Sequence, residues 1–340
     1  MKHLIHFLLI FIALCFSCKS PEEALQKEKS GSPLDDLPKN LRQLTTFGQR
    51  ADWSHDGKKI LFIEKTFGDV YEVEVKTGNL KPVTHHYFHE GYVRALYLSN
   101  GDILLAGDPN FNAEDPIPSR KKRAEFWVLK KDLKSPPYRL GELCYEGPAV
   151  SRKRMHIAWT VAGGQPEGCF YSGDIIYEND TPKLVNKKKI LDKTNLGQFA
   201  EIETQNFRPP DEEELIFSGY GPDYKITEVL GLNLSTGEII NYSNRPEEYN
   251  EPEGIYPDGK YTTVETIRPE HSGNIDMYRL ALDGSGEMKR LTFFGDYKGF
   301  KASNAVVSDD GKYMAFQVAK TAEMAGVGHG ILILDLNKKD

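Results

Sequence analysis

Apolar residues along this chain come in short runs rather than at helical spacing. Ile60, Leu61 and Phe62 form one such run, directly after Ala51-Asp52-Trp53-Ser54-His55-Asp56-Gly57-Lys58-Lys59. A run of that length without a 3.6-residue period reads as a buried strand. The Asp56-Gly57 pair before it supplies the positive φ that a tight hairpin turn needs. The same order of residues returns at Ile255-Tyr256-Pro257-Asp258-Gly259-Lys260-Tyr261-Thr262-Thr263-Val264. It returns again at Ala305-Val306-Val307-Ser308-Asp309-Asp310-Gly311-Lys312-Tyr313-Met314-Ala315-Phe316. Three copies spread across 340 residues mark an array of repeats.

Each repeat reads as four strands, a to d, counted outward from a shared centre. Turns between a and b fall at 56–57, 100–101, 152–153, 211–212, 258–259 and 310–311. The predicted b strands are 60–63, 103–105, 156–159, 215–217, 261–264 and 313–316. The c strands are 70–75, 125–129, 174–177, 228–232, 275–280 and 331–336. Candidate d strands follow the first five, at 81–84, 138–140, 189–191, 239–242 and 290–293. Neighbouring turns lie roughly 44 to 59 residues apart, which suits four-stranded propeller blades with variable loops. The third and fourth copies are the most degraded, because their turns lack glycine. No d strand follows the sixth c strand. A spare one precedes the array, where Leu41-Arg42-Gln43-Leu44-Thr45-Thr46 parallels Met288-Lys289-Arg290-Leu291-Thr292-Phe293. The expected fold is therefore all-β, a six-bladed β-propeller over residues 41–340 closed by its N-terminal strand. Closure of this kind removes two exposed sheet edges.

Residues 1–18 stand outside the array. Lys2 is followed by an apolar run from Leu4 to Phe16, broken only by His6, and then by Ser17-Cys18. The run is too short to span a bilayer comfortably and reads as a secretory signal. Its ending resembles a bacterial lipoprotein signal, which implies lipid attachment at Cys18; plain secretion is the alternative. A lipid there implies a protein of the bacterial cell envelope, periplasmic or on the outer surface, anchored to a membrane rather than spanning it. Residues 19–40 are rich in Lys, Glu, Ser and Pro and read as a disordered tether.

Composition adds constraints rather than identity. An apolar fraction of 39% with 27% charged residues is ordinary for a water-soluble domain. The net charge of −7 argues against nucleic acid as a partner, because phosphate binding needs a basic surface. Cys15 leaves with the signal, so Cys144 and Cys169 remain. An exported compartment permits a disulfide between them, and the sequence leaves that pairing open.

The recurring Leu-Thr, the Ala51–to–Phe62 stretch and then Asp69-Val70-Tyr71-Glu72-Val73 together resemble the WD-like repeat of TolB-type six-bladed β-propellers. The resemblance runs from Leu41 to the C-terminal end. It implies the fold firmly and activity hardly at all, since function sits in sites grafted on folds. Members of that superfamily serve as periplasmic binding modules and as the propeller part of serine peptidases. The oligogalacturonate lyase group uses metal for catalysis. There is no G-x-S-x-G elbow here, nor length for a hydrolase domain, so the peptidase members are a poor guide. No P-loop, Rossmann fingerprint or EF-hand loop is present.

The repeat topology places d–a and b–c loops on one face, the top, where propeller ligands are expected by that resemblance. His85, His86 and His89 fall in one top loop, and His271 and His329 lie in or beside others. These five could hold a divalent metal, the one cofactor the sequence allows for, although no helical zinc spacing is present. The bland reading is ordinary surface and packing roles. Polar residues also open strand a in several repeats: Arg50 and Asp52; Arg94; Glu146; Glu201, Glu203, Gln205, Asn206 and Arg208; Glu251 and Glu253; Lys301 and Asn304. Strand a lines the channel, and alternate residues face it. These side chains either satisfy a wet channel by pairing among themselves or form a binding mouth. As ligand contacts we expect His86, His89, Glu90, Gln205, Asn206, Arg208, Glu251, Glu253 and Asn304, with no catalytic residue. Trp53, Trp127 and Trp159 read as packing, and the basic run Arg120-Lys121-Lys122-Arg123 as a solvated loop. The sequence favours a monomeric, non-catalytic scaffold for an envelope protein, a peptide or a glycan. A metal-dependent carbohydrate-active enzyme resembling oligogalacturonate lyase is the alternative.

Overall fold

The computed structural model describes residues 28–161, 168–267, 274–323 and 326–338. In it the repeated Ser-x-Asp-Gly stretch is a self-contained hairpin. Ser54 Oγ donates to Asp56 Oδ1 at 2.8 Å, and Oδ1 in turn accepts from Lys58 N at 3.0 Å. Ser54 Oγ accepts from Lys59 N at 2.9 Å, while Gly57 takes φ 68°. The copy at Ser308, Asp310, Gly311 and Lys312 repeats these contacts, with Tyr313 N on Ser308 Oγ at 3.0 Å. The motif thus fixes a turn by local bonds.

These hairpins build six four-stranded antiparallel sheets, the blades of an all-β six-bladed propeller. Blade 1 runs outward as Gln49–Trp53, Lys59–Ile63, Val70–Glu74 and Leu80–Pro82. The innermost strands of blades 2 to 6 are Arg94–Tyr97, Ala149–Val150, Glu201–Phe207, Asn250–Ile255 and Phe300–Val307. Apolar residues facing between blades make the core. Trp53, Phe62 and Val73 of blade 1 pack with Ala315 and Ile333 of blade 6, and Trp159 meets Phe126 of blade 2 edge-on.

Blade 6 is completed from the other end of the chain. Leu41–Gln43 pairs antiparallel with Ile331–Asp335, in the register Leu41 to Leu334 and Gln43 to Leu332. A recurring hydrogen bond shows that this strand does the same work as the outer strand of other blades. Thr84, Ser243 and Thr292 each take the backbone N–H at the start of the neighbouring strand, from Val70, Val229 and Met277, at 2.9 Å. In blade 6 Thr45 Oγ1 accepts from Ile331 N at the same 2.9 Å. The Leu-Thr recurrence in the sequence is this bond.

Three details differ from the expectation or add to it. In blade 3 the outer strands are much longer than 174–177 and 189–191: they are Cys169–Glu178 and Thr181–Asp192. Asn179 and Asp180 between them both have positive φ, 48° and 67°, as a type I′ hairpin requires. Residues 28–40 belong to the stretch expected as a tether. Here Lys29 N donates to Asp296 O at 2.7 Å, and Leu34 and Leu37 pack on the core of blades 5 and 6. No disulfide joins Cys144 to Cys169, both of which are buried. The signal segment with Cys18, and His271, lie outside the described residues. Among the described residues no helix is long and apolar enough to cross a membrane.

Candidate functional site

Four of the innermost strands are interrupted where they face the axis. Their ladders shift register between Gln49 and Asp52, Thr204 and Asn206, Pro252 and Ile255, and Ser303 and Val306. Such a bulge inserts an unpaired residue, bends the strand and re-aims a side chain. Arg50 and Asn304 sit in two of these breaks with φ 54° and 50°. Glu146, just ahead of blade 3's inner strand, has φ 56°. The outcome is one axial cavity of about 220 Å³ to which every blade contributes: Arg50, Arg94, Glu146, Glu203, Glu253 and Asn304. A helix, Pro116–Lys121, inserted between the second and third strands of blade 2, brings Arg120 and Lys121 to the same cavity on the top side. Tyr145, Tyr220, Tyr224 and Tyr249 supply the aromatic part of its wall. A smaller chamber of about 80 Å³ continues below it and shares Arg94, Gln205, Glu253 and Asn304.

No protein-family model and no curated protein sequence matches this chain. Solved structures do. Oligogalacturonate lyase from Vibrio parahaemolyticus is 12% identical, with a TM-score of 0.53 over 87% of this chain and 80% of that one. A calcium-binding protein, regucalcin, from Agrobacterium tumefaciens is 12% identical, with a TM-score of 0.54 over 86% of this chain and 92% of its own. TolB from Acinetobacter baumannii is 16% identical, with a TM-score of 0.47 over 85% and 66%. The likeness is one of fold. At these identities the chemistry has to be read from the site itself.

Charge in the cavity is unevenly settled. Glu146 is held by two arginines, Arg50 Nη2 at 2.7 Å and Arg120 Nη2 at 2.7 Å on Oε2, with Arg120 Nε 2.7 Å from Oε1. Burial works against its charge, yet Arg50 and Arg120 prevail and bring its pKa to about 2. Glu201 lies 3.7 Å from Lys121 Nζ, and the remaining acidic groups deeper in the cavity have neutral partners. Tyr220's hydroxyl is in hydrogen-bond contact with Glu203 Oε2 at 2.9 Å and also with Glu251, which takes the Tyr249 hydroxyl as well. Asn304 donates its side-chain amide to Glu253 Oε1 at 3.0 Å and its backbone N–H to Glu265 Oε1 at 2.7 Å. Burial first, then Glu146 and Glu251, raise Glu203 to about 8. Burial and Glu251 raise Glu265 to about 7, and burial with Glu265 and Glu251 raises Glu253 well above the ordinary range. Tyr220 has one proton for two carboxyls, so a neutral Glu203 supplies the second hydrogen bond of that pair.

A pH dependence of stability follows, and its sign is set by these raised values. A carboxyl raised from 4.5 to about 7 or 8 in the folded state binds its proton more tightly there than in the unfolded chain. That stabilisation is complete below 4.5 and is lost as pH rises through about 7 and about 8. Thermal unfolding should show a midpoint about 5 °C or more lower at pH 9 than at pH 5.5, a difference that Glu203→Gln reduces. A midpoint that climbs across this interval would contradict the protonated carboxyls.

The structure sorts the sequence candidates. Glu251, Glu253, Gln205 and Asn304 do line the upper cavity. Asn206 lies lower, where its side-chain amide donates to Glu253 O at 2.9 Å. Arg208 is elsewhere: it bonds Glu214 and Tyr242 at 2.7 Å and the carbonyls of Gly259 and Leu282, so it clamps blade 4 to blade 5. Among the described residues no three histidines come together to hold a metal; His85 and His86 only meet edge-on. His89 Nε2 pairs with Asp69 Oδ1 at 3.0 Å while its Nδ1 accepts from Gly91 N, so it serves the Asp69–Thr84 knot at the edge of blade 1. His85 and His86 are exposed, and His329 pairs with Glu323 at 2.5 Å. Glu90 borders a side pocket beside Trp127, away from the axis. None of these five lines the axial cavity. The basic run is also not a solvated loop: Arg120 reaches Glu146, Lys121 lies over the rings of Tyr145 and Tyr224, and Arg123 bonds Asp108 at 2.9 Å.

Glu265 and the four tyrosines escaped the sequence reading. Glu265 and Tyr220 come from second strands, directly opposite Glu251 and Glu201 in the ladders. With Glu251 and Glu253, Glu265 forms the described trio of carboxylates whose oxygens lie within 4.8 Å of one another. Hard oxygen donors of this kind suit Ca²⁺ or Mn²⁺ better than the histidine-loving metals.

Proposed function

We propose that the protein is a cell-envelope binding propeller, held to a membrane by a lipid on Cys18, that takes a polar ligand into the top of its axial cavity. The observation that carries this reading is the convergence of one charged or amide side chain from each blade on a single cavity. A glycan or a peptide end fits such a wall, because both need hydrogen bonds of either sign beside aromatic faces. Tyr224 is the exposed member of that wall and the cleanest probe. Binding of a saturating glycan or peptide should raise the thermal midpoint, by about 2.7 kcal/mol of stability at a hundredfold excess over Kd. Tyr224→Ala should weaken that binding about tenfold while leaving the ligand-free midpoint unchanged. Binding that ignores Tyr224 and Gln205 would place the ligand on another surface.

The Glu251, Glu253 and Glu265 trio favours a second reading, a metal-dependent carbohydrate-active enzyme. There the metal would be held by these oxygens, not by histidines. Metal analysis of purified protein separates the two. Stoichiometric Ca²⁺ or Mn²⁺ that Glu251→Gln abolishes supports the enzyme. Ligand binding by metal-free protein supports the binding module.

A further inference from the structure

We propose that Arg94 is a carboxylate seat, so that the ligand entering the axial cavity is an organic anion. This rests on the cavity being the ligand site and adds the class of ligand. The carboxylates lining the cavity, and its other two arginines, have partners. Glu146 takes Arg50 and Arg120, Glu203 and Glu251 share Tyr220, and Glu253 and Glu265 share Asn304. Glu201 accepts from the Tyr224 hydroxyl at 2.8 Å. The Arg94 guanidinium, by contrast, has no hydrogen bond or ion pair among the described residues. It is half-buried, and it borders both chambers, at their junction. The backbone makes room for it: a Cβ on Gly147 would come within 2.5 Å of Arg94 Nε.

An arginine cannot escape its position by losing a proton. Burial and then the Arg50 charge press its pKa down, against the weaker pulls of Glu253, Glu203 and Glu146, none of which pairs with it among the described residues. Arg50, although paired with Glu146, also has donors to spare: it is only 6% exposed, and its Nε and Nη1 lack an acceptor among the described residues. A carboxylate is the planar, two-oxygen group that a guanidinium fork accepts in two parallel bonds. Glu203, Glu253 and Glu265 do not repel it while they keep their protons, as their raised values provide, and the charge on Glu146 is answered by Arg50 and Arg120. The carboxylate would sit at the junction, with the rest of the molecule toward Tyr224 and Tyr249 above. A uronate and the free C terminus of a peptide both carry this group.

The test uses paired probes on the intact propeller: glucuronate against glucose, and N-acetyl-dialanine against its C-terminal amide, by calorimetry. At least one acid should bind about a hundredfold more tightly than its neutral partner. Whichever acid does so names the source. Arg94→Met should remove that preference and raise the ligand-free thermal midpoint, because it deletes a buried charge without a partner. Arg94→Lys should keep part of the preference. A merely structural Arg94 would lower the midpoint on replacement and leave the acid preference intact. Equal binding of acids and neutral partners, or acid binding undiminished in Arg94→Met, overturns the seat. If those ligands still weaken with Tyr224→Ala, the cavity reading stands without it. If no probe binds, the carboxylate class is rejected, and a neutral glycan or peptide that loses affinity with Tyr224→Ala would keep the cavity alone.

Discussion

Removing residues 41–46 should lower the thermal midpoint by about 10 °C and make the protein prone to associate. The deletion takes away the three ladder pairs of Leu41–Gln43 with blade 6 and the Thr45 bond to Ile331 N. It uncovers the core around Met314, Phe316 and Leu332, against which Leu41 packs. Several hydrogen bonds at about 1 kcal/mol each, with about 2 kcal/mol for one buried leucine, come to roughly 5 kcal/mol. In a chain of this length each kcal/mol moves the midpoint by about 2 °C. The exposed edge of Ile331–Asp335 then offers unpaired backbone groups to a second copy. Deleting only residues up to 37 should cost less, since Leu34 and Leu37 cover the core only in part. An unchanged midpoint after loss of residues 41–46 would sink the closure.

Glu146→Gln should be the most damaging single substitution at the site, by about 3–5 kcal/mol. Glu146 answers two guanidiniums at once, the buried Arg50 and the half-buried Arg120. Removing one partner of a buried ion pair leaves the other charge without compensation, which costs more than the pair itself contributes. Replacing Arg50 by Met in the same protein should recover part of the loss, and that recovery separates charge from packing. The pH profile should change as well. The lowered pKa of Glu146 gives stability that is complete above 4.5 and lost as pH falls toward about 2. The variant should therefore lose less stability than the parent between pH 5 and pH 3. If Glu146→Gln unfolds at the parental temperature, the ion pairs carry no net stabilisation.

The sequence made the ring legible because the ring is made of local chemistry. Asp56-Gly57 and Asp310-Gly311 fix their turns through the aspartate side chain, which accepts the backbone N–H two residues on, so each copy can be read by itself. Leu44-Thr45 could be matched to Leu291-Thr292 for the same reason, and both threonines make the same bond. The site was legible only in part. Glu251, Glu253, Gln205 and Asn304 follow from the rule that strand a faces the channel. Arg208 obeys that rule on paper, but it lies past the bulge in blade 4, where the strand has already turned away from the upper cavity. The histidines formed a cluster in sequence that stays off the axis, because His89 is held by Asp69, fifteen residues before Thr84. Glu265 and Tyr220 required knowing the register of second strands against first, which no local motif records. Arg120 reached the axis on a helix that its two prolines, Pro116 and Pro118, had made to look like a loop.

Where the ligand sits is tested most directly by a crystal structure of the protein soaked with the carboxylate that binds best. Density is expected in the upper axial cavity, with carboxylate oxygens within hydrogen-bond distance of Arg94 and the remainder against Tyr224. Ligand density in the loop from His85 to Glu90 or on the blade rims, with an empty axial cavity, would contradict it.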